Sequence, residues 1–343
     1  MRNLLTRRVI NDLKAIPNSD NLELAVVDGW EAVVKRGEFT VGQAVYYAEV
    51  DSMLPGTDER FSFFVNRSHR IVEGIKYHRV KTIKLRGTLS QGILFGAQQF
   101  PELDGLPDSE LASKVGIIKY EPYVPVDLAG QMAGYLPAFI RKTDQERVQN
   151  LTWSDIERGE RAVYEVTVKM DGSSITVFNR DGEVGVCSRN VHLKLNEANQ
   201  ENAFVKAATE TGLIKAVAAY GKDLAVQGEL CGPGLNGNRH RMDTFDIFVF
   251  DIFDIATQQY LPPADRYRIL DELRVLGYTG SVVPLKPIGI AGMTFISIKD
   301  MLDQAASLVD QAGNPLEGLV YKRFDGQFSF KVINNNYLLK HDL

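Results

Sequence analysis

From Leu22 onward, apolar and polar positions alternate in short bursts broken by turns. Leu22-Glu-Leu-Ala-Val-Val27 leads through Asp28-Gly29 into Trp30-Glu-Ala-Val-Val34, then Lys35-Arg36-Gly37, then Ala44-Val-Tyr-Tyr-Ala-Glu-Val50. Alternation over such runs is the period of a half-buried strand, and Asp-Gly between two of them signals a hairpin. Strand-like runs at Arg79 to Lys84 and Gly92 to Phe95 complete about five strands, the size of a small OB-like β-barrel, expected over residues 1–105. Pro122, Pro125 and Pro137 interrupt the next stretch, which reads as a linker over 106–137. A second pattern fills 138–343. Tyr164 to Lys169 reads as a strand, Ile175 to Phe178 and Val184 to Ser188 as a hairpin around Asp181-Gly182, and Ala203 to Tyr220 as a helix. Strands resume at Leu224 and Phe245. Ser297 to Gln311 reads as an amphipathic helix with Ser297 as its N-cap, followed by strands at Gly318 to Lys322 and Phe328 to Val332. The expected fold class is α+β, an OB-like barrel followed by a mostly antiparallel α+β domain.

Length supports two domains, since 343 residues exceed what one core usually organises. Hydrophobic residues at 44% and charged residues at 24% exclude a disordered or fibrous chain. No apolar run approaches the roughly 18 residues of a membrane span, and the first residues lack an apolar signal region; a cytoplasmic protein without membrane contact is expected. Cys187 and Cys231 are too few for a disulfide framework and read as reduced core residues. The net charge of −5 argues against coating nucleic acid by charge alone. Locally the balance differs, because Arg67, Arg70, Lys76, Arg79, Lys81, Lys84 and Arg86 face one acid, Glu73, with Tyr77 among them. Solvated strands would carry such a face; so would a surface tracking a phosphate backbone, for which Arg67, Arg70, Arg79, Lys81 and Lys84 are the candidates.

The chemistry-bearing element is Lys169-Met-Asp-Gly-Ser-Ser174, a lysine at a strand end followed by a carboxylate and a Gly turn. A lysine amine is protonated near neutral pH and becomes a nucleophile only when desolvated or placed beside other cations. Alone, the string also fits an ordinary hairpin corner. It does not stand alone. Ser188-Arg-Asn190, Gly228-Glu-Leu230, Phe248-Val-Phe-Asp-Ile252, Glu317-Gly-Leu-Val-Tyr-Lys322 and Ser329-Phe-Lys-Val332 follow in order. These six elements resemble, in sequence and order, the nucleotidyltransferase motifs of covalent ligases and mRNA capping enzymes. With the N-terminal module and Phe139 to Arg147, the chain looks most like the Deinococcus-type RNA ligases, which carry an OB-like domain at the N-terminus. DNA ligases and capping enzymes place theirs after the last of these motifs, where this sequence has only a dozen residues beyond Lys331.

That resemblance implies an ATP-dependent RNA ligase that seals 3′-hydroxyl/5′-phosphate nicks through a lysyl-AMP intermediate on Lys169, in RNA repair. It implies Arg189, Glu229, Phe248, Glu317, Lys322 and Lys331 as nucleotide-binding residues, with Phe250 an alternative to Phe248 for stacking on adenine. Asp171, Glu229 and Glu317 would hold Mg2+ or Mn2+, or its waters. The expected partner is nicked RNA or an RNA-containing duplex, and a monomer is expected. Two departures stand out: Val168 occupies a place often acidic, and Ser329 replaces the first lysine of the last motif. The alternatives are a DNA ligase, a capping guanylyltransferase, or a catalytically silent OB-fold RNA-binding protein in which Lys169 is only a structural corner. His240, between Arg239 and Arg241, reads as part of an exposed basic turn rather than as a general base, a turn that could still meet pyrophosphate or RNA.

Overall fold

The computed structural model describes residues 3–64, 69–120, 130–157, 163–292 and 297–341, without the side chains of 286–292. Its chain divides into two compact units, one of Met1–Tyr123, Val148–Thr152 and Asn335–Leu343, the other of Val124–Arg147 and Trp153–Asn334.

In the first unit, strand Ala44–Ala48 is flanked by antiparallel partners Leu5–Val9 and Ile93–Gly96. Asp12–Ala15, Leu22–Val27 and Trp30–Lys35 form a meander, turned at Asp28-Gly29 as the pattern expects. Trp30, Val27, Tyr47 and Leu94 are buried together. The run expected as one strand from Arg79 to Lys84 is two, Ile75–Arg79 and Thr82–Leu85. Val80 between them is buried, and its backbone exchanges hydrogen bonds with Ser52 and Asp51 at 2.8 Å, which pulls the chain inward and ends the first strand. Within the stretch expected as linker, helix Asp108–Lys114 buries Leu111 against Leu103 and Tyr46; apolar spacing that serves a short helix gives this part of the connector a core of its own. Two sequence-distant pieces join the unit: Trp30 Nε1 donates to Asn150 Oδ1 at 2.7 Å, and helix Asn335–His341 belongs to it as well.

Among the described residues, the second unit holds a seven-stranded and a five-stranded sheet. The larger runs Met132–Tyr135, Val191–Leu193, Glu183–Ser188, Ser173–Arg180, Leu224–Cys231, Asp246–Asp254, Gln259–Tyr260. The smaller runs Glu146–Arg147, Ser329–Ile333, Gly318–Arg323, Val163–Val168, Leu285–Gly292. Among the described strands of these sheets, Glu146–Arg147 alone pairs in parallel, beside an isolated parallel bridge from Val249 to Val282. Helices Ala203–Glu210, Leu213–Tyr220 and Pro263–Val275 cover the larger sheet through Val205, Leu213, Val217, Leu270 and Leu273 against Ile175, Val226, Ile247 and Val249. The helix expected from Ala203 to Tyr220 is thus broken in two. Gly212 stands there at φ +72°, and a Cβ on it would lie 2.3 Å from the carbonyl of Gly277. The helix expected to Gln311 spans Ile298–Ala306, with Ser297 Oγ accepting from Asp300 N as its cap.

The smaller sheet has two different faces. Tyr164, Tyr321 and Phe330 pack ring to ring on one, with Tyr321 and Phe330 stacked at 5.0 Å. Cross-strand neighbours project to the same side. The pairs Glu165↔Lys322, Thr167↔Val320, Lys322↔Ser329 and Val320↔Lys331 therefore share the opposite face, which carries the polar chemistry.

Candidate active site

Lys169 lies one residue beyond strand Val163–Val168. Its backbone N–H donates to Gly318 O at 2.9 Å, fixing it beside the start of the neighbouring strand. The residue before that strand is Glu317, and its Oε1 lies 2.6 Å from Lys169 Nζ. Burial works against the charge on this amine, but Glu317, Glu229 and Asp171 outweigh it and hold the Lys169 pKa above its ordinary value. The nucleophile candidate therefore rests as an ammonium.

The Asp171-Gly172 turn ties three segments together. Gly172 N donates to Glu229 Oε1 at 3.1 Å. A Cβ on Gly172 would stand 2.3 Å from Leu230 O, so only glycine lets the turn approach strand Leu224–Cys231 this closely. Asp171 N donates to His240 Nε2 at 3.0 Å, and Arg239 Nη1 reaches Asp171 Oδ2 at 2.5 Å. Asn236 Nδ2 donates to Gly172 O. Burial lowers the His240 pKa despite the acids near it, which suits an imidazole accepting a backbone proton. Burial also pushes Glu229 up to about 7, countered by Lys169 and reinforced by Glu317. His240 and Arg239, which the sequence by itself assigns to an exposed basic turn, and Asn236, which it does not single out, all meet the Asp171-Gly172 turn of the candidate site. Their signal is a Gly/Asn-rich loop ending in Arg-His-Arg, but nothing in it says where the loop folds.

Phe248 and Phe250 are partly buried beside Met170, Cys231 and Val283, a mixed apolar surface next to the Lys169 segment. Both cysteines are free and buried. Lys331 sits on the polar face of the smaller sheet, opposite Val320 and beside Arg147. Lys322 shares that face but is buried, its Nζ 2.6 Å from Asp251 Oδ1 and donating to Phe250 O; burial lowers its pKa. Arg189 Nη2 meets both oxygens of Asp144 at 2.8 and 3.0 Å, and Lys142 Nζ reaches Asn190 Oδ1 at 2.8 Å. Segment 141–145 thereby walls a cleft of about 500 Å³ that also reaches Lys322, Asp251 and Ser329. Lys169, Asp171, Glu229 and Glu317 are thus gathered at one point, Phe248 and Phe250 line an apolar wall, and Lys322 is engaged in a closed ion pair.

The basic candidates lie in the other unit. Arg67 is outside the described residues. Arg79 is held by Asp51 at 2.6 Å and stacks on Tyr120 at 3.9 Å. Arg70 lies on strand His69–Val72, Lys81 follows Val80, and Lys84 is exposed on Thr82–Leu85.

Among the described residues, no three Asp, Glu, His or Cys side chains converge as direct ligands of one ion. Asp171, Glu229 and Glu317 instead surround an amine, with Glu317 2.6 Å from Lys169 Nζ and Glu229 held by the Gly172 N–H. That arrangement fits a hydrated cation held through its waters better than a directly ligated one.

An RNA ligase family model matches residues 162–333, and an OB-fold domain model matches residues 4–97. Comparison with curated proteins gives no match. Among solved structures, Naegleria gruberi RNA ligase with pyrophosphate is 37% identical, with TM-score 0.88, over 100% of this chain and 99% of that one. A lysine-to-alanine mutant of the same ligase with ATP and manganese is 36% identical, with TM-score 0.88, over 99% of each chain. A glutamate-to-alanine mutant with AMP and manganese is 37% identical, with TM-score 0.89, over 99% of each.

Proposed function

The chain belongs to the RNA ligase family, and from that premise we propose how its own side chains carry an ATP-dependent ligation. It is an ATP-dependent RNA ligase acting through adenylylation. Lys169 is the nucleophile in this reading. The observation that carries it is the convergence of three carboxylates on one partly enclosed lysine, with Glu317 at 2.6 Å.

The Lys169 amine must shed a proton before its lone pair can attack the α-phosphorus of ATP. Glu317 stands where it can take that proton. As the P–N bond forms, the bond to the β-phosphate oxygen breaks, and pyrophosphate leaves with the electron pair. The AMP then passes to a 5′-phosphate end, and a 3′-hydroxyl displaces it to close the strand. Such transfers depend on in-line placement and on neutralising the non-bridging oxygens. When bound, Mg2+ or Mn2+ supplies positive charge to those oxygens and to the carboxylates that otherwise hold Lys169 protonated. Asp171, Glu229 and Glu317 would hold it through its waters. Phe248 and Phe250 form the wall for adenine, Lys331 faces the α-phosphate, and Arg189 meets the ribose or the incoming end. Lys322, expected among the nucleotide-binding residues, is closed on Asp251 and meets the Phe250 carbonyl, so in this reading it acts on the nucleotide through that wall.

The substrate in this reading is nicked RNA or an RNA-containing duplex, sealed in repair by a monomer. A reaction that consumes ATP favours the cytoplasm as its setting; no helix among the described residues is long and apolar enough to cross a membrane. Two nicked duplexes differing only in the sugar of the 3′-hydroxyl nucleotide test the substrate class. A ribose end should seal at least about tenfold faster than a deoxyribose end, a difference of roughly 1.4 kcal/mol in the barrier. Equal rates would place the enzyme with ligases indifferent to the sugar.

A further inference from the structure

Strand Asp246–Asp254 does not alternate evenly. Its register against Leu224–Cys231 slips after Gly228↔Val249, so that Gln227 faces Asp251 and Phe250 is the extra residue. Such a bulge changes the parity of everything beyond it. Ile247, Val249 and Ile252 all sit in the core under the helices, whereas Phe248, Phe250 and Asp251 turn to the other side. The bulge therefore puts an aromatic ring and a carboxylate, neighbours in sequence, on the same face.

The extra residue has no partner in the register, and its carbonyl takes two cationic donors, Arg266 Nη1 at 3.0 Å and Lys322 Nζ. Arg266 comes from helix Pro263–Val275 and is fully buried. Its Nη2 lies 2.6 Å from both oxygens of Glu165, which also accepts from Tyr267 at 2.6 Å. Its Nη1 is 3.9 Å from Asp251, the partner of Lys322. Two carboxylates and two cations thus close a neutral buried quartet around one carbonyl. Buried ion pairs are poor sources of stability compared with apolar packing, and their better-attested use is to fix one geometry.

We propose that Arg266 is a positioning residue for nucleotide binding: through the Phe250 carbonyl and Asp251 it holds the bulge, and so the Phe248/Phe250 wall, where the base stacks. It touches no substrate. The inference rests on the reading of that wall as the adenine surface, so Phe250→Ala is included to test the wall by itself. The enzyme is first cleared of bound AMP with pyrophosphate. AMP affinity is then measured by calorimetry, and lysine adenylylation is followed in a single turnover at increasing ATP.

Arg266→Met should weaken AMP binding about tenfold and raise half-saturating ATP similarly, with the saturated rate within about threefold, the pattern of lost uniform binding. Arg266→Lys, which keeps one charged donor, should recover part of the affinity and carries the test where the methionine variant does not fold. Leu270→Ala, on the same helix and fully buried, should lower Tm but leave AMP affinity unchanged. Unchanged AMP affinity in folded Arg266 variants, or an equal loss in Leu270→Ala, would reduce Arg266 to packing and overturn the proposal. If Phe250→Ala binds AMP normally, the wall itself is misplaced and the inference falls with it; if Phe250→Ala weakens binding and the Arg266 variants do not, only the role of Arg266 is lost.

Discussion

Glu229 carries an electrostatic penalty that can be read from pH. Its carboxyl titrates at about 7 in the folded chain against an ordinary 4.5. Below the ordinary value both states are protonated and nothing is lost. Between about 4.5 and 7 the folded state keeps a proton the unfolded state releases, so stability falls as pH rises through this window and levels off above it. Metal-free protein should lose on the order of 2 kcal/mol between pH 5 and pH 8 from this group, at about 1.4 kcal/mol per pKa unit. Denaturation of Glu229→Gln at both pH values should show a flatter profile; a parallel profile would mean that Glu229 is not strained by burial. Gly172→Ala tests the turn beside it. With Leu230 O at 2.3 Å from the added carbon, the turn must move, and a shift of about 1 Å at a reacting group costs on the order of 100-fold in rate. Single-turnover adenylylation measures it, and a loss under threefold would show that the turn has slack. Lys169, Asp171, Glu229 and Glu317 are legible in the sequence because each sits in a motif of fixed order. Arg239 and His240 are not, since their contact with Asp171 spans nearly 70 residues and loops carry no periodicity.

Elements with clean alternation are legible as well, including the Ser173–Arg180/Glu183–Ser188 hairpin turned at Asp181 and Gly182, both at positive φ. Helix Pro263–Val275 is hidden for a physical reason: its core face carries Arg266, fully buried, among Ile269, Leu270 and Leu273, so its sequence looks too polar for a packed helix. The helix after Ser297 ends early because the chain beyond it folds back on itself: Asp310 N donates to Asn314 O at 2.8 Å and Leu316 N to Leu308 O at 3.0 Å, while Asp310 Oδ1 takes the Asn314 N–H at 2.7 Å, a local turn that competes with helix. The break at Gly212 gives a prediction at this scale. Gly212→Ala combines a positive φ with a 2.3 Å approach to Gly277 O and should cost about 2 to 4 kcal/mol in chemical denaturation. Half-saturating ATP should not change, because the break lies on the outer side of the larger sheet. A stability loss below about 0.5 kcal/mol would mean that the two short helices can re-form as one.

At the scale of the whole molecule, the two kinds of domain are legible in the sequence but their edges are not, because residues 148–152 and 335–343 return to the first unit from far along the chain. The basic stretch belongs to that unit. Arg79 is already bound to Asp51 and Tyr120, so the surface is better tested at Lys76, Lys84 and Arg86, all exposed. Changing these three to Glu should weaken nick sealing and lower the salt slope by roughly one for each phosphate no longer neutralised. Adenylylation should stay within about twofold, a change of no more than roughly 0.4 kcal/mol; equal loss of both activities would remove the phosphate-tracking role. The central claim, a covalent AMP on Lys169, is tested most directly by incubating the enzyme with α-labelled ATP, GTP or NAD and a divalent cation, then denaturing it and treating it with acid. Label from ATP alone, acid-labile and absent from folded Lys169→Ala, is the predicted result; label that survives in Lys169→Ala, or none from any nucleotide on folded wild-type protein, would contradict it.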